Sequence, residues 1–159
     1  MRPIVVAQLI STFKVGGAEA LALDLARRMD RNRFKPVAYA LRVTGKMEER
    51  FHEAGVETRV IGAREGRGLD VAAVWRLAAS LRRDGVRVLN CHNRASHIYG
   101  SFAGTLAGVP AIVCTRHAAP TIYKRRGRPV PLEFAAIPLT DWFVSVTDEV
   151  QRTAARKGR

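Results

Sequence analysis

The chain has 159 residues, a formal net charge of +13 from 27 Lys and Arg against 14 Asp and Glu, and 47% apolar residues. A chain of this length typically buries about 70% of its unfolded surface, so residues 1–159 are expected to form one domain without disulfides or metals. The apolar fraction excludes a disordered chain. No apolar run reaches the ~20 residues that span a bilayer, and the N-terminus lacks the pattern of a signal peptide.

The first half of the chain alternates between apolar runs and helical patterns. Residues 3–10 (PIVVAQLI) predict a strand, and the loop STFKVGG leads to a helix over 18–29 with apolar residues at helical spacing. A second strand is predicted over 34–43, followed by a short helix over 45–55 and a third strand over 56–62.

The same alternation continues in the second half. The predicted elements are a helix over 68–85, a strand over 86–92, a helix over 94–108, a strand over 109–115, a basic loop, a helical segment over 129–140, a strand over 141–146 and a final helix over 147–158. Six short apolar strands that alternate with helices predict repeated βαβ units. The expected fold is therefore a doubly wound α/β domain, with a mostly parallel six-stranded, Rossmann-like sheet flanked by helices.

The two cysteines, Cys91 and Cys114, both lie in predicted strands. A disulfide-stabilised secreted module would carry many more, so we interpret them as buried thiols in a reducing compartment, which favours a cytoplasmic location.

In sheets of this kind ligands bind beyond the carboxyl ends of the strands. Gly16 and Gly17 lie in the loop after the first strand, where the missing Cβ atoms and the free amides of the next helix suit a phosphate or diphosphate. A tight turn explains such a pair equally well. The sequence lacks GxGxxG and GxxxxGK[ST], which argues against a dinucleotide-dependent dehydrogenase and a P-loop NTPase.

His92 and His117 each end a predicted strand and are expected to emerge together at this edge. One histidine at a strand end is more often structural, but two beside a glycine loop favour a site. The sequence has no third ligand at a spacing typical of zinc, so no metal is expected. Ser145, at the end of the sixth strand, is interpreted either as part of a helix cap or as a substrate contact.

Basic residues cluster at the end of the first helix and again in the loop that contains Lys124, Arg125, Arg126 and Arg128. The first cluster has two interpretations, a complement to the carbonyl end of the helix dipole or an attraction for polyanions. The loop carries no acid between His117 and Glu133, which leaves two interpretations, a solvated loop or a contact with anionic lipid or a charged acceptor.

Taken together, these features resemble the amino-terminal domain of glycosyltransferase family 4 enzymes, which have the GT-B architecture of two facing Rossmann-like domains. The matching features are VGGAEALALDLARRM after the first strand, the Gly-Val-Glu turn into the third, His92 ending the fourth, GVPAIVCTRH ending in His117, and DWFVSVTDEV as the sixth strand.

The resemblance implies the acceptor-binding half of a retaining, metal-independent glycosyltransferase that uses a UDP- or GDP-linked sugar and a glycan or lipid-linked acceptor of the cell envelope. It implies His117 as the catalytic residue beside the transferred sugar, and a carboxy-terminal nucleotide-sugar domain that these residues do not include. This chain alone is therefore expected to be inactive, and the whole enzyme to lie in the cytoplasm or peripherally on the inner face of the membrane. The candidate substrate-binding residues are Lys14, Gly16, Gly17, His92, Asn93, Arg94, Arg116, Tyr123, Lys124 and Ser145.

The alternative is a basic α/β module that binds nucleic acid or other polyanions without catalysis. The charge permits it, but no helix-turn-helix, zinc-finger or RNP pattern supports specific nucleic-acid binding.

Overall fold

A computed structural model of the chain describes residues 2–65, 68–117, 124–125, 128–129 and 131–147. The strands are β1 (Ile4–Ile10), β2 (Phe34–Ala40), β3 (Glu57–Val60), β4 (Val86–His92), β5 (Ala111–Arg116), β6 (Lys124–Arg125), β7 (Arg128–Pro129) and β8 (Trp142–Ser145). The helices are α1 (Gly17–Arg28), α2 (Lys46–Glu53), α3 (Val71–Arg83), α4 (Asn93–Ala107) and α5 (Pro131–Ala136), with a single 3₁₀ turn at Ile137–Leu139.

Six strands form one parallel sheet in the order β3-β2-β1-β4-β5-β8, which confirms the predicted doubly wound, Rossmann-like fold. The chain first builds the sheet outward from β1 to β3. It then crosses back to place β4 on the other side of β1. The switch point of the topology therefore lies between β1 and β4, where sheets of this kind bind ligands at the carboxyl ends of the strands.

Each face of the sheet has its own apolar core. Helices α1 and α2 pack over Ile10, Ala38 and Ala40 through the core that contains Phe13 and Phe51. Helices α3 and α4 pack on the opposite face over side chains that include Ala7, Leu9, Leu89 and Cys91. Because side chains alternate between faces along a strand, the polar residues at even positions of β1 and β4 lie on the α1 side.

The boundaries of several elements differ from the sequence predictions. The predicted helix over 129–140 is α5 followed by a 3₁₀ turn that contains Pro138, because proline lacks the N–H that would continue an α-helix. Within the predicted basic loop, β6 and β7 pair antiparallel, and strands of two residues are too short to leave a periodicity in the sequence. The predicted helix over 147–158 falls almost entirely outside the described residues.

Both cysteines are buried free thiols on adjacent strands, as predicted. Asp70 caps α3 by accepting a hydrogen bond from the Ala73 amide at 3.1 Å. In the part of the chain that the structure describes, no helix has the length and apolar character needed to cross a membrane.

Candidate functional site

The loop between β1 and α1 is held in place by the loop that precedes α2. The Phe13 amide donates to the Val43 carbonyl at 3.0 Å, and the Phe13 carbonyl accepts from the Met47 amide at 2.9 Å. A Cβ at Gly45 would lie 2.5 Å from the Phe13 carbonyl oxygen, so only glycine permits this close approach. The segment that carries Lys14, Gly16 and Gly17 is thus fixed from one side, and the Lys14 side chain is exposed.

The two glycines begin helix α1 and differ in their surroundings. Gly16 is the N-cap residue and Gly17 the first helical residue. A Cβ at Gly16 would collide with the carboxylate of Glu19, whereas a Cβ at Gly17 would have no atom within 4 Å among its described surroundings. Open space beside Gly17 at the start of a helix leaves room for the phosphate that the sequence predicts there.

Glu19 is buried in the first turn of α1, where a negative side chain complements the positive end of the helix dipole. The sequence analysis did not identify it. The available signal was its spacing, because an acid three residues after the N-cap is placed to reach back over the first turn.

A chain of polar side chains crosses the switch point of the sheet. Gln8 of β1 lies opposite Asn90 of β4, and the Gln8 Oε1 atom accepts from Asn90 Nδ2 at 3.0 Å and from His92 Nε2 at 2.7 Å. His92 Nδ1 lies 3.0 Å from His117 Nε2, and the two imidazole centroids are 5.3 Å apart. Thr115 completes the set by donating to Asn90 Oδ1 at 2.8 Å.

His92 and His117 therefore meet at the carboxyl edge, as predicted, but they are not equivalent. His92 has no exposed surface, whereas His117 is partly exposed, so His117 is the member of the pair that a ligand at the edge can contact. Burial lowers the pKa of His92 to about 3, with a further contribution from His117, and burial also lowers the pKa of His117 itself. Both imidazoles are thus neutral at pH 7.

His117 lies on the same edge and the same face of the sheet as the start of α1. His117 follows the last residue of β5, and the pairing of His92 with Thr115 places alternate residues of β4 and β5 on the α1 side. The loop from β1 to Gly17 leaves from that edge too. The topology thus puts His117 and the glycine loop at one edge of the sheet, where the sequence predicts a common site.

Arg116 points to the other face and has its own partners. Its guanidinium lies over the Phe143 ring, 4.2 Å from the centroid, and it pairs in register with Ser145 at the end of β8. Burial raises the pKa of the Cys114 thiol to about 11, although Arg116 opposes that rise. A role for Arg116 toward a ligand would therefore have to be compatible with its contact to Phe143.

Asn93 and Arg94 begin helix α4 directly after His92. Asn93 has a φ of +72°, a left-handed conformation that asparagine tolerates better than most residues. Arg94 Nε lies 3.1 Å from Oε2 of buried Glu133, where the two atoms face each other as ions without the alignment of a hydrogen bond. Burial raises the pKa of Glu133, and the charges of Arg94 and Arg116 counteract part of that rise. The Arg94 side chain thus ties α4 to α5.

The remaining predicted site residues belong to the basic loop. Tyr123 and Arg126 lie outside the described residues. Lys124 and Arg125 form β6, and Arg128 belongs to β7, the strand that pairs with β6.

Sequence reasoning missed three members of the polar chain, Gln8, Asn90 and Thr115. Each lies within a strand whose other residues are mostly apolar, and a polar residue inside such a buried strand is the signal that was available. Among the described residues, no group of three His, Cys, Asp or Glu side chains is arranged to hold a metal ion.

A shallow groove of about 430 Å³ lies at the other end of the sheet, lined by Arg2, Pro3, Ile4, Arg87, Val88 and Pro110. It adjoins the amino ends of β1 and β4, away from the histidines. Ligands of doubly wound sheets bind at the opposite edge, so the polar chain is the stronger candidate site.

Comparison with known protein families and structures places this geometry in a wider context. The model of Glycosyltransferase Family 4 matches residues 15–159. No curated protein is significantly similar to the chain in sequence.

Solved structures share the fold at low sequence identity. Anabaena HepE, crystallised with UDP and glucose, has a TM-score of 0.75 and 15% identity, over 98% of this chain and 41% of HepE. The lipopolysaccharide outer core galactosyltransferase WaaB has a TM-score of 0.64 and 12% identity, over 98% of this chain and 43% of WaaB. A UDP-GlcNAc 2-epimerase from Neisseria meningitidis, bound to UDP-GlcNAc, has a TM-score of 0.58 and 9% identity, over 98% of this chain and 44% of the epimerase.

The chain thus spans less than half the length of these structural relatives, and it has the Rossmann-like fold found in one part of GT-B enzymes. The fold is common to transferases and epimerases, whereas the family model is specific to transferases. Since that model covers the chain from the glycine loop to its last residue, the chain belongs to glycosyltransferase family 4.

Proposed function

We propose that this chain is the acceptor-side half of a retaining glycosyltransferase. The whole enzyme would move a sugar from a UDP- or GDP-linked donor to a glycan or lipid-linked acceptor of the cell envelope, and a second domain would hold the nucleotide. The observation that carries the proposal is the placement of His117 and the start of α1 on one edge and one face of the sheet. The family match, the UDP and glucose in the HepE structure, and the likeness to WaaB, a lipopolysaccharide outer core galactosyltransferase, support it.

The proposed chemistry follows from where charge develops. The leaving nucleoside diphosphate gains negative charge as the glycosidic bond breaks, and preorganised amides and cations stabilise that charge. Gly16 and Gly17 would bring the first amides of α1 against the diphosphate, with Lys14 as the candidate cation on that face of the sheet. His117 would lie beside the transferred sugar and catalyse through its ring or its backbone carbonyl. Asn93, Arg94, Tyr123, Lys124 and Ser145 would contact the acceptor, and the reaction would need no metal.

Gly17 offers a direct test because the domain has room for a larger side chain there. Gly17→Val adds bulk in open space at a helix start, so folding should be nearly unaffected, while a diphosphate would lose its close approach. Ala20→Val, at an exposed position on the same helix, is the matched control. The assay is release of UDP or GDP from a panel of nucleotide sugars by the complete gene product that contains these residues.

We expect Gly17→Val to lower transfer by about 10²-fold, as expected for a small misplacement of bound substrate, with an unchanged melting temperature. Ala20→Val should behave like the unmodified enzyme. Equal transfer by both variants would overturn the proposed diphosphate contact, and absence of nucleotide release from the whole panel would overturn the transferase proposal.

We also propose that the basic loop brings the enzyme to an anionic membrane surface. The support is its composition, with Lys124, Arg125, Arg126 and Arg128 in a stretch without acids. Binding to vesicles that contain phosphatidylglycerol should be strong at low salt and weaken as salt rises, with little binding to phosphatidylcholine vesicles.

A matched variant separates the loop from the overall charge. Changing the four basic loop residues to Gln should abolish vesicle binding. The same change at the basic cluster at the end of α1 (Arg27, Arg28, Arg31 and Arg33) should leave most of the vesicle binding. Equal binding to neutral vesicles, or equal loss in both variants, would contradict the proposal.

A further inference from the structure

The hydrogen bonds of the polar chain, the series of side chains that runs from Gln8 to His117, have a fixed direction. The reason is that the series ends inside the sheet at an oxygen atom. Gln8 Oε1 lies 2.7 Å from His92 Nε2 and 3.0 Å from Asn90 Nδ2. A carbonyl oxygen carries no proton, so both nitrogens must donate to it. Asn90 Nδ2 and His92 Nε2, the two nitrogens that donate to this oxygen, lie 3.2 Å apart. The proton of His92 is therefore on Nε2.

Burial then determines the other nitrogen of His92. The residue is fully buried, and its pKa of about 3 means that it carries a single ring proton at neutral pH. With that proton on Nε2, Nδ1 has only a lone pair. His117 Nε2 lies 3.0 Å from this Nδ1, so His117 must be the donor of that hydrogen bond.

The same reasoning fixes the atom that His117 offers to a ligand. The Nε2–H group of His117 donates to the buried His92. Because a neutral ring carries one proton, Nδ1 of His117 is then unprotonated. The contact with His92 is made by Nε2 and leaves Nδ1 outside it, and His117 is the member of the histidine pair with exposed surface. A bare ring nitrogen accepts a hydrogen bond, and sugar hydroxyl groups are suitable donors.

One further hydrogen bond holds the inner end of the polar chain in place. Thr115 Oγ1 donates to Asn90 Oδ1 at 2.8 Å, which orients the Asn90 amide so that its Nδ2 faces Gln8. Gln8, Asn90 and Thr115 come from three adjacent strands, so the rigid sheet itself sets their positions.

We propose that Gln8 is a positioning residue that acts through His92 to fix the tautomer of His117, so that His117 presents an unprotonated Nδ1 to a substrate hydroxyl at the sheet edge. The identity of that hydroxyl as part of a sugar rests on the proposed function, but the tautomer does not. The opposite polarity, with the Gln8 amide group donating to a bare His92 Nε2, would leave the proton of His117 on Nδ1.

The test is the ¹⁵N spectrum of the histidine side chains in this chain at neutral pH, since protonated and bare ring nitrogens have well-separated shifts. Spectra of His92→Leu and His117→Leu assign the signals. We expect His92 and His117 each to show a protonated Nε2 and a bare Nδ1. A protonated Nδ1 on His117, or averaged shifts from a mixture of tautomers, would overturn the proposal.

Variants of Gln8 test whether this residue fixes the tautomer of His117. Gln8→Met removes the acceptor with little change in length, and it should replace the single tautomer of His117 by an averaged signal. Gln8→Glu keeps an acceptor oxygen and should retain the protonated Nε2. His97→Gln, in a different cluster, is the control and should leave the His117 shifts unchanged. An unaltered His117 tautomer in Gln8→Met would contradict the role of Gln8. If a Gln8 variant fails to fold, the unmodified chain still decides the tautomer.

These spectra need no sugar transfer, so the two proposals fail separately. If the spectra show the predicted tautomers but the complete gene product has no transferase activity, only the proposed function is refuted. Activity with the opposite tautomer would refute only this inference.

Discussion

Two buried histidines only five residues apart have different surroundings. His92 belongs to the polar chain. Its part Gln8–His92–His117, called the open chain below, runs from the sheet interior to the carboxyl edge. His97 belongs to a closed cluster with Ser101 and Thr140, in which its Nε2 lies 2.9 Å from Thr140 Oγ1. Thr140 in turn donates to the Ala136 carbonyl at 3.0 Å, so the closed cluster ties α4 to the segment before β8.

Burial and pKa do not separate the two residues. Burial lowers the pKa of His92 to about 3 and that of His97 to about 4, so both are neutral at pH 7. The difference lies in where the hydrogen bonds lead. The open chain ends at a partly exposed imidazole, whereas the closed cluster ends at a backbone carbonyl. A perturbed pKa therefore identifies a functional histidine only together with a route to the ligand.

The largest contrast is expected on replacing each histidine by leucine in the complete gene product. His92→Leu removes the middle of the open chain and should lower sugar transfer by about 10²-fold, because His117 loses the partner that orients it. His97→Leu should leave kcat within about twofold, since a residue that does not act in the transition state does not change the rate of that step. Both variants leave buried polar partners unsatisfied, so each should lose roughly 1–3 kcal/mol of stability. Equal loss of kcat in the two variants would remove the distinction.

Both histidines should contribute to the pH dependence of the unfolding free energy, and to a similar extent. A folded-state pKa below the ordinary value of 6.5 means that the unfolded chain binds more protons below that pH, so stability is lost as pH falls from 6.5 toward about 4 for His97 and about 3 for His92. Between pH 5 and 6, removing either histidine should make the slope of unfolding free energy against pH shallower by about 1.4 kcal/mol per unit. Urea unfolding at several pH values measures this slope, and the contributions of acidic residues cancel between variants. An unchanged slope in either leucine variant would show that the histidine is accessible to protons in the folded state.

Much of the fold could be predicted from sequence, because buried parallel strands are apolar runs separated by helical periods. The meeting of His92 and His117 also followed from their position at the ends of adjacent strands. The partners of His92 did not follow, because Gln8 and Asn90 face each other only through the register of β1 with β4, 82 residues apart in sequence. The ion pair between Arg94 and Glu133 likewise depends on how α5 packs against α4, which no local pattern encodes.

The smallest expected effect is at the closed cluster. Thr140→Val keeps the shape of the side chain but removes its hydroxyl, which leaves His97 Nε2 and Ser101 Oγ without that partner. We expect a loss of about 1–2 kcal/mol in unfolding free energy and no change in the ¹⁵N shifts of His117. Chemical denaturation and the same histidine spectra check both parts. A shift of the His117 signals would show that the two clusters are coupled.

The most direct test of the central claim, that the His117 ring acts at the sugar site, is the kcat of sugar transfer by His117→Ala in the complete gene product, measured beside His97→Ala. We expect a loss of about 10²-fold for His117→Ala, in the range of a side chain that positions bound substrate, and a kcat close to that of the unmodified enzyme for His97→Ala. An unchanged kcat for His117→Ala would contradict the role of the ring, because it would leave the imidazole at the end of the open chain without a part in the reaction.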